Sequence, residues 1–393
     1  MSSYLMPTYF NQLPVMFERG QGIWLWDTEG NCYLDALAGI AVCSLGHCHP
    51  RITAKIIEQA GKLIHSSNTF LNKEQQLLAE KLCEISGMDQ VYFANSGAEA
   101  NEAAIKMTRL YAKKKGIANP TVITLNNSFH GRTMATLSAT GAERIQTGFE
   151  PLVSHFVHLD MNDSAGLKAY LEQDKNVVAI MLELVQGDGG ISIASPEYVA
   201  IIRELCDKQD LLMIVDEVQT GIGRTGKWFC YQHYNVMPDI VTCAKALGNG
   251  LPIGACLARG KADNLFGPGK HGTTFGGTHL VCATSLEVLK TFEDEKIVEN
   301  AEKMGEYLQT QLRQAFAGNS HIVDIRGKGL MIGVELDCNS FGMMPLTLKH
   351  KLLFNIVANK VIRLIPPLII SKGDADEIVK RLKLIVDEFL TIA

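Results

Sequence analysis

The chain has 393 residues, of which 47% are hydrophobic and 20% are charged, and its formal net charge is −5. This length predicts two or three domains, and the apolar fraction is ample for buried cores. Because no block of like charge occurs, we exclude a nucleic-acid tail and a polybasic membrane anchor, and we expect a small-molecule partner.

Targeting segments and disulfides are not expected either. Residues 1–7 contain neither a basic nor an apolar region, so we expect no secretory signal. Apolar runs such as Val177–Leu182 are far shorter than the roughly 18 residues of a membrane helix. The ten cysteines are scattered and lie mostly in apolar company, which is typical of reduced thiols. The expected location is the cytoplasm.

The middle of the chain alternates strands with helices. The predicted strands and helices are Val91–Ala94, Thr121–Leu125, Val177–Leu184, Leu211–Val215 and Ile240–Cys243, and Ala98–Lys115 and Pro196–Gln209. Apolar strands separated by helices indicate a mostly parallel sheet covered on both faces. Such sheets bind ligands at the carboxyl ends of their strands, so residues that directly follow strands are the first candidates for a site.

The remainder predicts a second, smaller α+β domain. One long helical stretch is expected from Gly277 to about Phe316. Strands at 322–325 and 330–336, a further helix, the apolar run 361–370 and a terminal helix at 374–390 follow it. We therefore predict an α/β fold with an N-terminal segment (1–50) on the small domain, a large domain (51–277) and a small domain (278–393).

Two sequence patterns are interpreted as structural. Residues 221–226 match a dinucleotide fingerprint and residues 221–228 nearly match a phosphate-binding loop. No convincing helix follows them, however, and Trp228 stands where a magnesium-binding hydroxyl belongs. A tight glycine-rich turn explains the segment more simply. The cysteines and histidines between Cys43 and His49 lack a second ligand pair, so no metal site is predicted.

Two charged residues follow buried strands where pyridoxal phosphate (PLP) would need them. Lys245 lies between an apolar strand and a glycine-rich turn, where a charged amine is costly to bury but an imine is not. Asp216 ends a buried strand and could pair with a pyridinium nitrogen. Each has a plainer alternative, because Lys245 could extend to solvent and Asp216 could cap a loop.

Other segments add the remaining parts of such a site. The small residues Ser96–Ala98 between a strand and a helix could hold a phosphate by their backbone N–H groups, although Ser96 could simply cap the helix. Phe129 could stack on the pyridine ring, and Arg132 could bind a carboxylate with two hydrogen bonds. Thr273 and Thr274 offer hydroxyls in a glycine-flanked loop.

Taken together, these segments resemble the class III aminotransferases of PLP fold type I. The resemblance covers essentially the whole chain, and its most specific part is the string Asp216–Gly221 followed by Lys245. Phe129–Thr133 and Arg326–Gly333 support it. Within that class the sequence is most similar to the group that acts on acetylornithine, with the ornithine group close behind.

The resemblance implies a set of cofactor contacts. Lys245 would bind PLP as a Schiff base and Asp216 would pair with the pyridine nitrogen. The other implied contacts are Phe129 and Val218 on the two ring faces, Gln219 at the phenolic oxygen, and Ser96, Gly97 and Ala98 at the phosphate. Thr274 would reach the phosphate of a neighbouring subunit, which implies a homodimer.

The implied reaction is ping-pong. Acetylornithine gives up its terminal amino group to leave a semialdehyde, and 2-oxoglutarate takes the group to become glutamate. Arg132 would bind the α-carboxylate with Thr273 nearby, and Arg363 would meet the second carboxylate that only 2-oxoglutarate has. Asp188 stands where relatives carry a glutamate, and we expect it to pair with Arg363 when that second carboxylate is absent.

Some positions differ from the usual pattern of the family, and other substrates and functions are also compatible with the sequence. Thr278-His279 replace a usual Asn-Pro, and Phe10 with Tyr9 beside it stands where a substrate-contacting tyrosine is common. Ornithine, succinylornithine or succinyl-diaminopimelate could be the donor. A PLP aminomutase, a cofactor-binding regulatory protein and a nucleotide-binding protein are the alternatives of other classes.

Overall fold

A computed structural model of the chain describes residues 4–6, 8 and 12–392. The expectation for Tyr9 or Phe10 therefore falls outside the described residues. The helices are Ala38–Ala41, Pro50–Ala60, Lys73–Ser86, Gly97–Lys114, Met134–Ala139, Glu143–Gln146, Ser164–Gln173, Pro196–Lys208, His279–Asp294, Ile297–Ala315, Met344–Lys349 and Lys372–Ile392. Over the described part of the chain, no helix is long and apolar enough to cross a membrane.

A seven-stranded sheet forms the centre of the protein. Its strands, in spatial order, are Gln90–Ala94, Gly254–Ala258, Ile240–Cys243, Leu212–Asp216, Val177–Leu182, Thr121–Leu125 and Phe156–Leu159. Only Gly254–Ala258 runs antiparallel to its neighbours. Helix Gly97–Lys114 packs against this sheet, as does helix Pro196–Lys208. The predicted α/β fold with a mostly parallel sheet is confirmed.

The direction of the parallel strands decides where a site can form. Their carboxyl ends meet at one edge of the sheet, because a parallel arrangement points every strand the same way. The segments that leave this edge begin at Asn95, Asn126, Glu183, Glu217 and Ala244. Residues far apart in the sequence are therefore brought to one place.

Two four-stranded sheets lie outside the central one. The first joins Phe17–Gln21, Trp24–Asp27 and Cys32–Asp35 to Leu352–Leu353, and the second joins Ile322–Lys328, Met331–Leu336, Val361–Leu364 and Asn355–Val357. Leu34 pairs in register with Leu352, so an N-terminal strand shares a sheet with a C-terminal one. The domain boundaries at residues 50 and 277 stay a prediction.

One sequence expectation for the C-terminal part was wrong. The single helical stretch from Gly277 to Phe316 is two helices, because Lys296 adopts a left-handed conformation with a φ of 52° and ends the first. The apolar run 361–370 is a strand only as far as Leu364. Pro366 and Pro367 follow, and proline has no N–H to donate to a strand ladder.

The glycine-rich segment 221–226 forms turns, and only a 3-10 helix of four residues, Cys230–His233, follows it. Its Arg224 is fully buried and donates hydrogen bonds to the carbonyls of Leu330 (3.0 Å) and Pro366 (2.6 Å) and to Ser44 Oγ (3.2 Å). Burial lowers the pKa of Arg224 to about 9. The motif therefore ties separate segments together, and its geometry gives no support to a nucleotide site.

Candidate active site

A cavity of about 440 Å³ lies at the carboxyl edge of the central sheet. The predicted site residues that line it are Ser96, Gly97, Ala98, Phe129, Arg132, Asp188, Asp216, Val218, Gln219 and Lys245. Asn95, Asn101, His130 and Glu183 line it as well. Most of the side chains selected from the sequence are thus brought together, although their individual roles stay predictions.

Asp216 is anchored at the floor of this cavity and is only 3% exposed. Its Oδ2 accepts hydrogen bonds from Asn101 Nδ2 (2.7 Å) and from His130 Nδ1 (2.8 Å). Its Oδ1 accepts from the backbone N–H of Val218 (2.9 Å). Donors on both oxygens fix the orientation of the carboxyl group.

His130, which donates to the Asp216 carboxylate, is itself buried. Burial opposes charging of its ring, but the hydrogen bond to Asp216 and the charge of Asp216 outweigh burial and raise the pKa of His130. Its Nε2 is buried and has no hydrogen-bond partner among the described residues. The hydrogen bond therefore keeps a basic imidazole in direct contact with the Asp216 carboxylate.

Lys245 follows strand Ile240–Cys243 and lines the cavity. Its backbone has a φ of 44°, a conformation that costs a non-glycine residue free energy and that clusters at functional sites. Burial lowers the pKa of Lys245 to about 8, and the positive charge of Arg363 acts in the same direction. A lysine with so low a pKa is suited to act as a nucleophile or a proton carrier.

The N-terminus of helix Gly97–Lys114 opens onto the cavity. Ser96 caps it by accepting from the Glu99 N–H, which leaves the N–H groups of Gly97 and Ala98 without partners within the helix. A Cβ on Gly97 would lie 2.6 Å from Val218 Cγ1, so only glycine fits there. The arrangement is a ready anion site.

Glu183 is a site residue that the sequence reasoning missed. It leaves the end of strand Val177–Leu182, is buried, and accepts from the N–H of Phe129 (2.9 Å) and of Gly187 (3.3 Å). Burial raises the pKa of Glu183 to about 7, with the charge of His130 opposing the rise and that of Asp216 adding to it. Its position after a strand was the signal that could have identified it.

Arg363 does not line the cavity itself but forms an ion pair with Asp188, which does. Arg363 Nη1 lies 3.0 Å from Asp188 Oδ1 and 3.4 Å from Gln219 Oε1, and Arg363 Nε donates to Asn355 Oδ1 at 3.0 Å. Arg363 is 2% exposed, and burial lowers its pKa against the opposing charge of Asp188. Asp188 thus stands between the guanidinium and the cavity, and it contacts the arginine directly.

The remaining predicted residues lie at the cavity mouth or outside it. Arg132 is exposed, with its guanidinium carbon 5.8 Å from the Phe129 ring centroid, and it has no ion pair among the described residues. Thr273 Oγ1 accepts from Asn95 Nδ2 (3.0 Å) without lining the cavity. Thr274 is exposed and outside it. Thr274 is therefore not brought to the site of its own chain.

The residues present fit PLP. The free N–H groups at Gly97 and Ala98 suit a phosphate, the anchored carboxylate of Asp216 suits a pyridinium nitrogen, and the amine of Lys245 suits an aldehyde carbon. Phe129 and Val218 supply apolar surface on the cavity wall. No group of three or more histidine, cysteine or acidic residues placed to hold a metal occurs among the described residues.

The fold and this site define a class of enzyme, and comparison with known proteins identifies the family. The model of "Aminotransferase class-III" matches residues 6–386. The chain belongs to the class-III aminotransferase family, and it is an enzyme that transfers amino groups.

Three individual proteins are informative. An acetylornithine aminotransferase of Nitrosomonas europaea is 46% identical over 388 residues, which is 99% of this chain and 98% of that protein. The structure of N-acetylornithine aminotransferase from Stenotrophomonas maltophilia is 35% identical with a TM-score of 0.86 and 98% coverage of each chain. The Toxoplasma gondii ornithine aminotransferase, with PLP at partial occupancy, is 35% identical with a TM-score of 0.92, covering 98% of this chain and 93% of its own.

Proposed function

We propose that this enzyme transfers the terminal amino group of N2-acetyl-L-ornithine to 2-oxoglutarate, using PLP in a ping-pong reaction, as a step of arginine biosynthesis. The products are N-acetylglutamate 5-semialdehyde and glutamate. The observation that carries the proposal is the ion pair of the buried Arg363 with Asp188, two groups whose charges both act on Lys245. The full-length identity to acetylornithine aminotransferases supports the choice of donor.

The cofactor would be held chiefly by residues at the ends of three strands. Lys245 would bind its aldehyde carbon, Asp216 its pyridine nitrogen, and the helix N-terminus at Gly97 its phosphate. When bound, PLP withdraws electrons from the carbon that loses a proton. The His130 ring and the Asn101 amide hold the Asp216 carboxylate in place.

Lys245 would also move the proton. With a pKa of about 8, Lys245 is a neutral amine in roughly one molecule in ten at pH 7, far more often than an ordinary lysine. The neutral amine could accept the proton that the substrate carbon loses and, once charged, could give a proton back. The apolar wall around it limits the water that would compete for that proton.

The two arginines distinguish the substrates by their number of carboxylates. Arg132, which is exposed and free of an ion pair among the described residues, is available for the α-carboxylate of either substrate. Arg363 would bind the second carboxylate of 2-oxoglutarate. Acetylornithine has none, so Asp188 must then neutralise Arg363, because an unpaired buried charge is costly.

A second copy of the chain would complete the site. The proposed location of the enzyme is the cytoplasm. Large apolar side chains are exposed near Thr274, including Phe275 (62%), Phe70 (68%) and Leu71 (89%). Exposed apolar surface of this kind favours association with another protein surface. A homodimer would bury it and would explain why Thr274 lies outside the cavity of its own chain.

The test is glutamate formation from 2-oxoglutarate with each candidate donor in turn. The proposal expects the highest kcat/KM with N2-acetylornithine, ahead of succinylornithine, succinyl-diaminopimelate and ornithine, and no product with Lys245→Ala. A preference for free ornithine would transfer the assignment to the ornithine group. Turnover that forms no glutamate would favour an aminomutase.

A further inference from the structure

Asp188 sits at the tip of a short hairpin. Strands Val185–Gln186 and Ser192–Ile193 pair antiparallel, and residues 187–191 connect them. Ile191 in this connection adopts a φ of 55°, which a β-branched residue rarely does. The backbone of the hairpin tip is therefore held in a conformation that its neighbours must maintain.

The first half of the tip is anchored at Gly187, just before Asp188. Gly187 donates its N–H to Glu183, and a Cβ on Gly187 would lie 2.6 Å from Gln219 Oε1. The carbonyl of Gly189 accepts from Ser192 Oγ at 2.7 Å. Together these contacts hold the hairpin against the cavity wall on the side of the central sheet.

The second half of the tip is held by one side chain from the C-terminal part. Arg326, on strand Ile322–Lys328, donates from Nη2 to the carbonyl of Gly190 (2.5 Å) and from Nε to the carbonyls of Gly190 (3.1 Å) and Ile191 (3.2 Å). Its Nη1 is fixed by Asp324 (2.9 Å) and Glu335 (2.5 Å). The guanidinium is thus oriented by two carboxylates and grips two carbonyls.

We propose that Arg326 is a positioning residue that keeps Asp188 on Arg363 and so sets how strongly the site prefers ligands with one carboxylate over ligands with two. An aspartate has a short side chain, so the position of its backbone decides whether it reaches Arg363. Arg326 controls that position from two residues away. The inference rests on the proposed function, in which Arg363 meets a second carboxylate.

The sign of the effect separates this role from a general structural one. Asp188 competes with a ligand carboxylate for the same guanidinium. If the hairpin is held less firmly, the Asp188–Arg363 ion pair becomes weaker. A dicarboxylate should then bind Arg363 more tightly. General damage to the site would instead weaken the binding of every ligand.

The experiment measures dissociation constants of glutarate and butyrate for the PLP-loaded enzyme by calorimetry. The variants are Arg326→Gln, Arg326→Lys, Asp188→Ala and the double variant Arg326→Gln/Asp188→Ala. Arg326→Lys keeps a positive charge beside Asp324 and Glu335 but loses the forked grip, and it serves if Arg326→Gln does not fold. Arg313→Gln is the matched control, since Arg313 bonds the carbonyl of Ile325 on the same strand at 2.9 Å.

Arg326→Gln should tighten glutarate binding by about threefold to tenfold, leave butyrate unchanged, and have no further effect once Asp188 is alanine. Weaker or unchanged glutarate binding, or an equal effect in the Asp188→Ala background, would overturn the proposal. A wrong choice of donor would show separately, as little glutamate from acetylornithine in the wild-type enzyme while the glutarate pattern holds.

Discussion

The imidazole Nδ1 of His130 lies 2.8 Å from Oδ2 of Asp216, and both side chains are buried. His130 follows the strand Thr121–Leu125, whereas Asp216 ends the strand Leu212–Asp216 two places along the sheet. The contact therefore depends on the parallel order of the strands. It makes the ring part of the structure that holds Asp216, the carboxylate proposed to meet the cofactor.

Removing this ring should destabilise the protein. His130→Leu leaves the Asp216 carboxylate buried with one strong donor fewer, which should lower the free energy of unfolding by about 2 kcal/mol. Urea unfolding measures the change. His321→Leu is the control, because His321 pairs with Asp337 on the surface (3.1 Å) and its loss should cost less than about 0.5 kcal/mol. Equal effects of the two substitutions would contradict this account.

The lowered pKa of Lys245 predicts a pH-dependent stability in the cofactor-free protein. Between the folded pKa of about 8 and the ordinary value of 10.5, the unfolded chain binds more protons, so Lys245 makes the protein more stable as pH rises through this window. Below pH 8 the lysine should cost about 3 kcal/mol relative to Lys245→Met. Unfolding curves of both proteins at pH 7 and pH 10 give the difference, which should shrink markedly. A difference that is constant with pH would be contrary to this expectation.

A larger residue at position 97 should be tolerated only when Val218 is shortened as well. Gly97→Ala places a Cβ against Val218, which pushes apart the phosphate end of the site and the wall that bears on the ring. We expect PLP affinity, measured by fluorescence titration, to fall by about tenfold. Adding Val218→Ala removes the clash and should recover part of the loss. A double variant no better than Gly97→Ala would show that the close contact is not the cause.

The Asp188–Arg363 pair should be energetically coupled in catalysis. Asp188→Ala should slow the half-reaction with acetylornithine by about tenfold, since Arg363 then stays unpaired, while the half-reaction with 2-oxoglutarate should not slow. Arg363→Ala should have the opposite effect, slowing the half-reaction with 2-oxoglutarate but not the one with acetylornithine. Stopped-flow measurement of each half-reaction in the single and double variants tests the coupling, and purely additive effects would refute it.

Much of the architecture could be predicted because its strands are continuous and apolar. Thr121–Leu125 and Ile240–Cys243 have the predicted bounds, and Lys245 and Asp216 were found because charge directly after a buried strand is conspicuous. The strand Gly254–Ala258 was missed, since its small residues favour strands weakly. The helix break at Lys296 depends on a backbone conformation that local composition does not signal.

The residues that hold Asp216 in place were the hardest part of the site to predict from the sequence. Asn101 lies inside a helix, yet its amide contacts both Asp216 and the carbonyl of His130. Thr242 lies within a strand and donates to Asn101 Oδ1 at 2.7 Å. Neither residue follows a strand or belongs to a motif. Their importance arises only when the sheet and the helix are packed together.

The most direct test of the central claim is the visible absorption of the purified enzyme before and after each donor is added, with Lys245→Ala as the control. The account predicts a yellow protein whose colour is lost fastest with N2-acetylornithine and returns with 2-oxoglutarate. Lys245→Ala should show neither change. A wild-type protein that stays colourless after incubation with PLP would contradict the assignment of Lys245 and of the whole site.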